Sequence, residues 1–265
     1  MCKFSISNIA WTAENDIYMY KLMKEKSFSG LEIAPTRIFT EKPYESCIEA
    51  KEWASNLNER YGFVVPSMQS IWFGRQEKLF GAGEERKLLI SYTKKAVNFA
   101  EAIGCKNLVF GCPRNRNMPE GTNDDFAIQF FKEIGDYAYE HNTVIGMEAN
   151  PPIYNTNYIN DTASAIELIE KVDSNGFLLN LDVGTMVENN ESVTVLAGKE
   201  HLINHVHISE PGLKVIEQRK IHEQLASLLK KSDYKKFVSI EVSKQDDVSS
   251  IEKMMDYVKD VFGDE

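Results

Sequence analysis

Eight times along this chain a short apolar run of strand character is followed by a segment of helical period, an order that few folds accept. The strand-like runs are Lys3–Ala10, Ser29–Ala34, Phe63–Met68, Asn107–Phe110, Val144–Glu148, Phe177–Asp182, His205–Ser209 and Phe237–Val242. Helical spacing marks Asp16–Lys26, a helix opened by Pro43 with Ala50, Trp53, Ala54 and Leu57 on one face, and Glu84–Ile103, with Gly104 placed for a left-handed stop. It continues in Asp124–Tyr139 and in a helix capped by Asp161 that carries Ile166, Ile169 and Val172. Val193–Leu202 is weakly helical, Glu217–Lys230 strongly so, and Val248, Ile251, Met254, Met255, Val258 and Phe262 mark a closing helix. Units of roughly 33 residues over a 265-residue chain match the ~250 residues of a (β/α)8 barrel. Runs such as Phe177-Leu178-Leu179-Asn180-Leu181 are nearly continuous, as expected when both faces of a parallel strand are buried. A doubly wound open sheet uses the same alternation, but no glycine-rich phosphate loop follows the first strand. With no linker or composition break, the expectation is a single α/β domain over residues 1–265, closed as a (β/α)8 barrel.

Charge and cysteines narrow the partners. Thirty basic against 40 acidic residues leave a net charge of −10 and a pI near 5.2, which argues against nucleic acid or an anionic membrane surface. The N-terminus lacks the pattern of a signal peptide, and no apolar stretch approaches the ~20 residues needed to span a bilayer. Cys2, Cys47, Cys105 and Cys112 are scattered without zinc-finger spacing; they read as reduced, buried small apolar residues of a cytoplasmic protein.

In a closed barrel of this kind the active site lies at the C-terminal ends of the strands. There Glu148, Asp182, His207 and Glu241 each end an apolar run, one on each of the last four strands. Three carboxylates converging on one imidazole repel unless a cation lies between them. A single divalent ion, Mn2+, Mg2+, Co2+ or Zn2+, resolves that repulsion with three oxygen ligands, one nitrogen ligand and open positions.

At these residues the sequence resembles the sugar-phosphate isomerase/epimerase group of xylose isomerase-like TIM barrels. That group also contains ketose 3-epimerases, hydroxypyruvate isomerases, inosose dehydratases and a repair nuclease of the endonuclease IV type. The likeness runs from Gly30-Leu31-Glu32 to Glu241, and its sharpest motifs are Met147-Glu148, Leu181-Asp182-Val183-Gly184 and His205-Val206-His207. It implies that Glu148, Asp182, His207 and Glu241 are the metal ligands and that Glu148 and Glu241 form the acid/base pair. Such enzymes move a proton on carbon next to a carbonyl through an enediolate, for which the ion serves as Lewis acid and template. Three positions depart from the resemblance. Thr185 stands where the family often has histidine, Tyr154 where its ketose 3-epimerases have glutamate, and Leu213 where they have arginine. The extra histidines that a three-metal nuclease needs are lacking.

The expected substrate-binding residues are Glu32, Gln69, Trp72, Arg114, Asn150, Thr185 and Glu210. Arg37 and Arg116 lie in the same loops as possible anion holders, and Trp11 offers a further aromatic wall. His205 reads as a hydrogen-bonded packing residue turned towards the helices. The expected activity is thus metal-dependent isomerisation or epimerisation of a sugar, sugar phosphate or sugar-derived acid. A dehydratase of a cyclic polyol ketone and a non-catalytic carbohydrate-binding barrel are the alternatives. The partner is a small carbohydrate, and a homo-oligomer is compatible with the sequence.

Overall fold

The computed structural model describes residues 2–263, so the terminal residues of the expected 1–265 domain lie outside the described ones. Seven parallel strands form one sheet: β1 Lys3–Ser7, β2 Gly30–Glu32, β3 Leu108–Phe110, β4 Ile145–Met147, β5 Phe177–Asp182, β6 Ile203–Ile208 and β7 Phe237–Ile240. Their order is β2-β1-β7-β6-β5-β4-β3.

The expected strand at 63–68 fills the gap between β2 and β3, but as isolated bridges. Val64 pairs with Gly30, and Met68 with both Ile33 and Leu108. Leu31 N–H donates to the Val64 carbonyl, and Val109 N–H to that of Met68, each at 2.9 Å. Pro66 has no N–H to give and interrupts the ladder, so this segment closes the barrel without becoming a regular strand.

The helices are α1 Asp16–Glu25, α2 Cys47–Tyr61, α3 Gly83–Ile103, α4 Asp125–Glu140, α5 Thr162–Val172, α6 Val183–Glu188, α7 Lys220–Lys231 and α8 Val248–Phe262, with a single helical turn at Pro35–Ile38. Gly104, at φ 72°, ends α3 in the left-handed conformation expected of it. Asp161 caps α5 by accepting the Ser164 N–H at 2.8 Å. The sixth unit departs from expectation. Val193–Leu202 forms only two 3-10 turns. The helix of that unit is α6, which starts directly at the end of β5 because Asp182 caps it. Among the described residues no helix is long and apolar enough to cross a membrane. The four cysteines are free; Cys105 is buried and the other three only partly so.

Two residue patterns divide the strands. Phe4, Ile6, Leu31, Phe110, Met147, Leu181, Val206 and Val238 are buried in the hydrophobic cluster under the helices or between helices and sheet. Alternation turns their neighbours into the barrel. In many barrels of this architecture those inward positions are Val, Ile and Leu. Here Ser5, Ser7, Glu32, Ser67, Asn107, Asn180, His207 and Ser239 are all buried, and most of them hydrogen-bond across the interior. A polar interior needs partners for every group, and it positions whatever stands at its mouth.

Candidate metal centre

Glu148 directly follows β4, Asp182 ends β5, His207 lies in β6 and Glu241 directly follows β7. One donor atom from each lies within 4.8 Å of the others. Register accounts for part of this: Asp182 is paired with His207 across β5 and β6. Gly111 gives Glu148 room, since a Cβ there would come within 2.7 Å of Glu148 Oε2.

The imidazole organises the cluster. His207 Nδ1 lies 3.1 Å from both Glu148 Oε1 and Glu241 Oε2, and Nε2 lies 2.9 Å from Glu32 Oε2. Burial would raise the Glu32 pKa, but His207 and His205 beside it bring it well below the usual carboxylate range. An ionised Glu32 holds the proton on Nε2 and leaves Nδ1 facing the three carboxylates, the carboxylate–imidazole pairing common behind metal-bound histidines. Burial opposes charge on His207, yet Glu241, Glu32 and the bond to Glu148 raise its pKa well above normal. Burial raises the pKa values of Glu148 and Asp182, and carboxylate repulsion adds to it, from Glu241 and Glu148 respectively. Burial also raises that of Glu241, against the pull of His207. Buried, mutually repelling oxygen donors around one imidazole nitrogen fit a hard or borderline divalent cation, which needs ligands of this kind and offsets their repulsion.

Each carboxylate is also aimed by a polar neighbour. Asn180 Nδ2 donates to Glu148 Oε1 at 2.9 Å, and Asn150 Nδ2 to Glu148 Oε2 at 3.2 Å. Asp182 Oδ2 accepts the Thr185 backbone N–H at 2.8 Å and its hydroxyl at 2.7 Å, while Ser209 Oγ donates to Oδ1. The Asn180 bond is the end of a longer chain. Lys236 Nζ donates to Asn204 Oδ1 at 2.9 Å, Asn204 Nδ2 to Asn107 Oδ1 at 2.9 Å, and Asn107 Nδ2 to Asn180 Oδ1 at 3.0 Å. Every amide in that line donates towards Glu148.

The remaining expected residues fall into different surroundings. Asn150 and Gln69 border the cluster's side of the barrel but are nearly buried, at 7% and 5% exposure. Asn150 Oδ1 accepts Arg116 Nη2 at 2.9 Å, and Gln69 donates to Ser7 Oγ. Glu32 has no exposed surface and lies behind His207, holding two imidazoles instead of facing an open mouth. Trp72 is buried, with its indole N–H on Thr93 Oγ1 at 2.8 Å and its ring edge-on to Phe110 and Phe130; it packs the helix layer. Thr185 is also buried and spends its hydroxyl on Asp182 and the Ala149 carbonyl. Glu210 is bound on both oxygens by Arg219 at 2.7 Å.

Arg114 is exposed, whereas Arg116 is fully buried and donates to the Glu148 carbonyl at 2.9 Å. Arg37 pairs with Asp16 at 2.6 Å beside Trp11. Tyr154 accepts the Gly212 N–H on its phenol oxygen at 2.9 Å, tying the loop after β4 to the loop after β6. His205 corrects the expectation for it. Residues two apart on a strand share a face, so His205 and His207 both reach Glu32, at 3.0 and 2.9 Å. Asn107, Asn180, Asn204 and Ser209 are not among the expected residues; the available signal is a polar residue in or next to three apolar runs, at 107–110, 177–182 and 203–209.

Known proteins give this arrangement a context. No curated protein matches the sequence. Among solved structures, a D-psicose 3-epimerase from Clostridium cellulolyticum superposes with a TM-score of 0.78 at 15% identity, over 98% of this chain and 99% of its own. A 3-keto-D-glucoside 4-epimerase from E. coli does so at 0.75 and 18% identity, over 98% and 100%. A probable 3-DHS dehydratase from Bacillus anthracis gives 0.68 and 15%, over 97% and 98%. At these identities the likeness is one of fold. The family model described as xylose isomerase-like TIM barrel matches residues 21–261, and the chain belongs to that family.

Proposed function

We propose that the protein is a divalent-metal-dependent isomerase or epimerase that moves a proton next to the carbonyl of a sugar, a sugar phosphate or a sugar-derived acid. The observation that carries this reading is the pair Glu148 and Glu241. They come from strand ends separated in the sheet by β5 and β6, and both reach the same imidazole nitrogen at 3.1 Å. Without a cation, burial raises both pKa values; a divalent ion between them would favour the ionised form that a general base needs. Glu148, Asp182, His207 and Glu241 would hold the ion. When bound, it supplies positive charge for the substrate oxygens and for the negative charge that develops on them.

The chain's own groups do the rest. One glutamate takes the proton from carbon and the other returns one; delivery to the opposite face gives the epimer. Asn180 and Asn150 hold both oxygens of Glu148, so that carboxylate is aimed before substrate arrives. Glu32 fixes the ring plane and tautomer of His207. Thr185 and Ser209 restrict Asp182. The substrate contacts expected of Gln69 and Asn150 remain part of this reading, since both retain a small exposed area at the mouth.

Elimination shares the first proton removal, and the fold likeness includes a dehydratase, so products decide between the outcomes. The test is solvent-deuterium exchange over a panel of ketoses, their phosphates and polyol ketones, with Mn2+ supplied. Wild type is expected to incorporate deuterium at one carbon of at least one compound, and Glu148→Gln and Glu241→Gln are each expected to abolish it while melting normally. Exchange that survives both substitutions would sink the assignment. Sugar binding without any exchange would favour a barrel that only binds.

A further inference from the structure

The opposite end of the barrel carries a cavity that the reading above does not use. Its volume is about 970 Å3, and it opens among the N-terminal ends of the strands, where barrels of this class ordinarily keep structural residues. Lys3, Lys106 and Lys236 line it. Among the described residues none of the three forms an ion pair, in a chain with ten more acidic than basic side chains. Lys106 Nζ donates to the Asn142 carbonyl at 3.0 Å, and Lys236 Nζ to Asn204 Oδ1 at 2.9 Å and the Ile203 carbonyl at 3.4 Å. Lys3 Nζ stands 5.7 Å from the Phe237 ring centre. An ammonium has three donors, so each retains at least one beyond these neutral partners.

Burial lowers the Lys236 pKa, and no carboxylate acts to raise it. The fourth lysine of the lining, Lys235, is already paired with Asp233 at 2.7 Å. Glu140 is the lone carboxylate in the lining. Asn107, Asn142, Asn175, Asn204, Thr143 and His205 add neutral polar groups to the lining, and Val65, Pro66, Tyr139, Val144, Leu178 and Phe237 supply an apolar stretch.

Cationic donors without counter-charge, beside an apolar wall, suit one kind of ligand: a small molecule with a compact anionic group and an apolar body. The volume falls within the range of small-molecule sites. We propose that the N-terminal end of the barrel is a binding site for a small phosphate monoester, its phosphate held by Lys3, Lys106 and Lys236 and its organic body laid against Phe237 and Tyr139. The site stands independently of the metal centre, on the other side of the polar interior. Lys236 also begins the amide line that ends at Glu148, so a phosphate that draws on the Lys236 ammonium competes with Asn204 for it.

Calorimetric titration of the purified chain with phenyl phosphate at 0.15 M salt tests this, with phenol and inorganic phosphate run alongside. The expected result is one saturable site with a Kd on the order of 1 mM or tighter, stronger than for either fragment. Affinity should fall at least ten-fold in Lys3→Gln/Lys106→Gln, whose side chains are exposed, and again in Lys236→Gln. It should stay unchanged in Glu148→Gln/Glu241→Gln, which places the ligand at the base and not at the metal. No saturable binding, binding indifferent to the lysine substitutions, or binding lost with the glutamates would each overturn the proposal. Since Lys3 and Lys106 are on the surface, the double variant is expected to fold, and its melting curve verifies that.

Discussion

The two ends of the barrel are finished with opposite charge. At the C-terminal end three carboxylates crowd one imidazole, and the buried Arg116 is engaged with the Glu148 carbonyl, Asn150 and Ile159. At the N-terminal end three of the four lysines that line a cavity bond only neutral oxygens or an aromatic face. Between them the interior is amide, hydroxyl and imidazole in place of branched aliphatic side chains. The overall charge of −10 describes neither end. Barrel geometry separates the charges along one axis, and the aligned amides from Lys236 to Glu148 lie along the resulting field, each dipole favourable to both ends.

The largest expected effect concerns the glutamates at the carboxylate end. Glu148→Gln or Glu241→Gln should reduce deuterium exchange by roughly 10²–10⁴-fold, a loss read by mass spectrometry of the recovered sugar. Gln keeps the shape and removes the base. Next comes the support beneath them. Arg116→Met leaves the Glu148 carbonyl, Asn150 Oδ1 and the Ile159 carbonyl short of a donor, and should cost roughly 2–4 kcal/mol in denaturant unfolding. Asn180→Ala breaks the amide line one bond from Glu148 and leaves Asn107 Nδ2 with Ser67 Oγ as its one remaining acceptor. It should cost about 1–3 kcal/mol and slow exchange without abolishing metal binding. A variant as stable as wild type would show that the line is incidental.

The smallest effect is in pH. Glu148, Glu241 and Asp182 have raised pKa values in the folded chain, so the native state binds protons more tightly than the unfolded one. Stability must then fall as pH rises above their ordinary values of 4.5 and 3.8. His207, also raised, adds a loss of the same sign as pH climbs through its folded value. Glu32 is lowered, and its contribution is constant across this window. His205 and His222 are lowered, the latter to about 4, and add stability as pH rises towards 6.5, so the raised groups are read from the cation's effect and not from the net melting curve. The gain in melting temperature that Mn2+ gives over chelator-treated protein should grow from pH 5 towards neutrality, as protons leave the ligands; a gain that shrinks over that interval would contradict the assigned shifts.

Much of this was legible in the chain because burial leaves simple marks. A carboxylate or imidazole that ends an apolar run is costly unless something compensates it, and Glu148, Asp182, His207 and Glu241 carried that mark on four successive strands. The strand at 63–68 was legible in composition but not in pairing, since Pro66 breaks a ladder that its apolar neighbours suggest. The helix after β5 was misplaced for a local reason: Asp182 is both cluster member and helix cap, so the helix starts where the strand stops. The polar interior was hidden because Asn107, Asn180 and Asn204 meet only through strand register, including the shift between Leu179 and Asn180. Arg114 and Arg116 look alike in sequence, and only burial separates them. Glu32 and Trp72 end or follow their strands as ligand contacts would, yet the fold directs one behind His207 and the other into the helix layer.

Electron paramagnetic resonance of Mn2+ added to the chelator-treated chain probes the shared cation most directly. One bound ion per chain is expected for wild type, with free-ion signal returning in His207→Ala and in Asp182→Asn. Wild-type protein that leaves Mn2+ free, or a His207→Ala/Asp182→Asn variant that still takes up one ion per chain, would contradict the account.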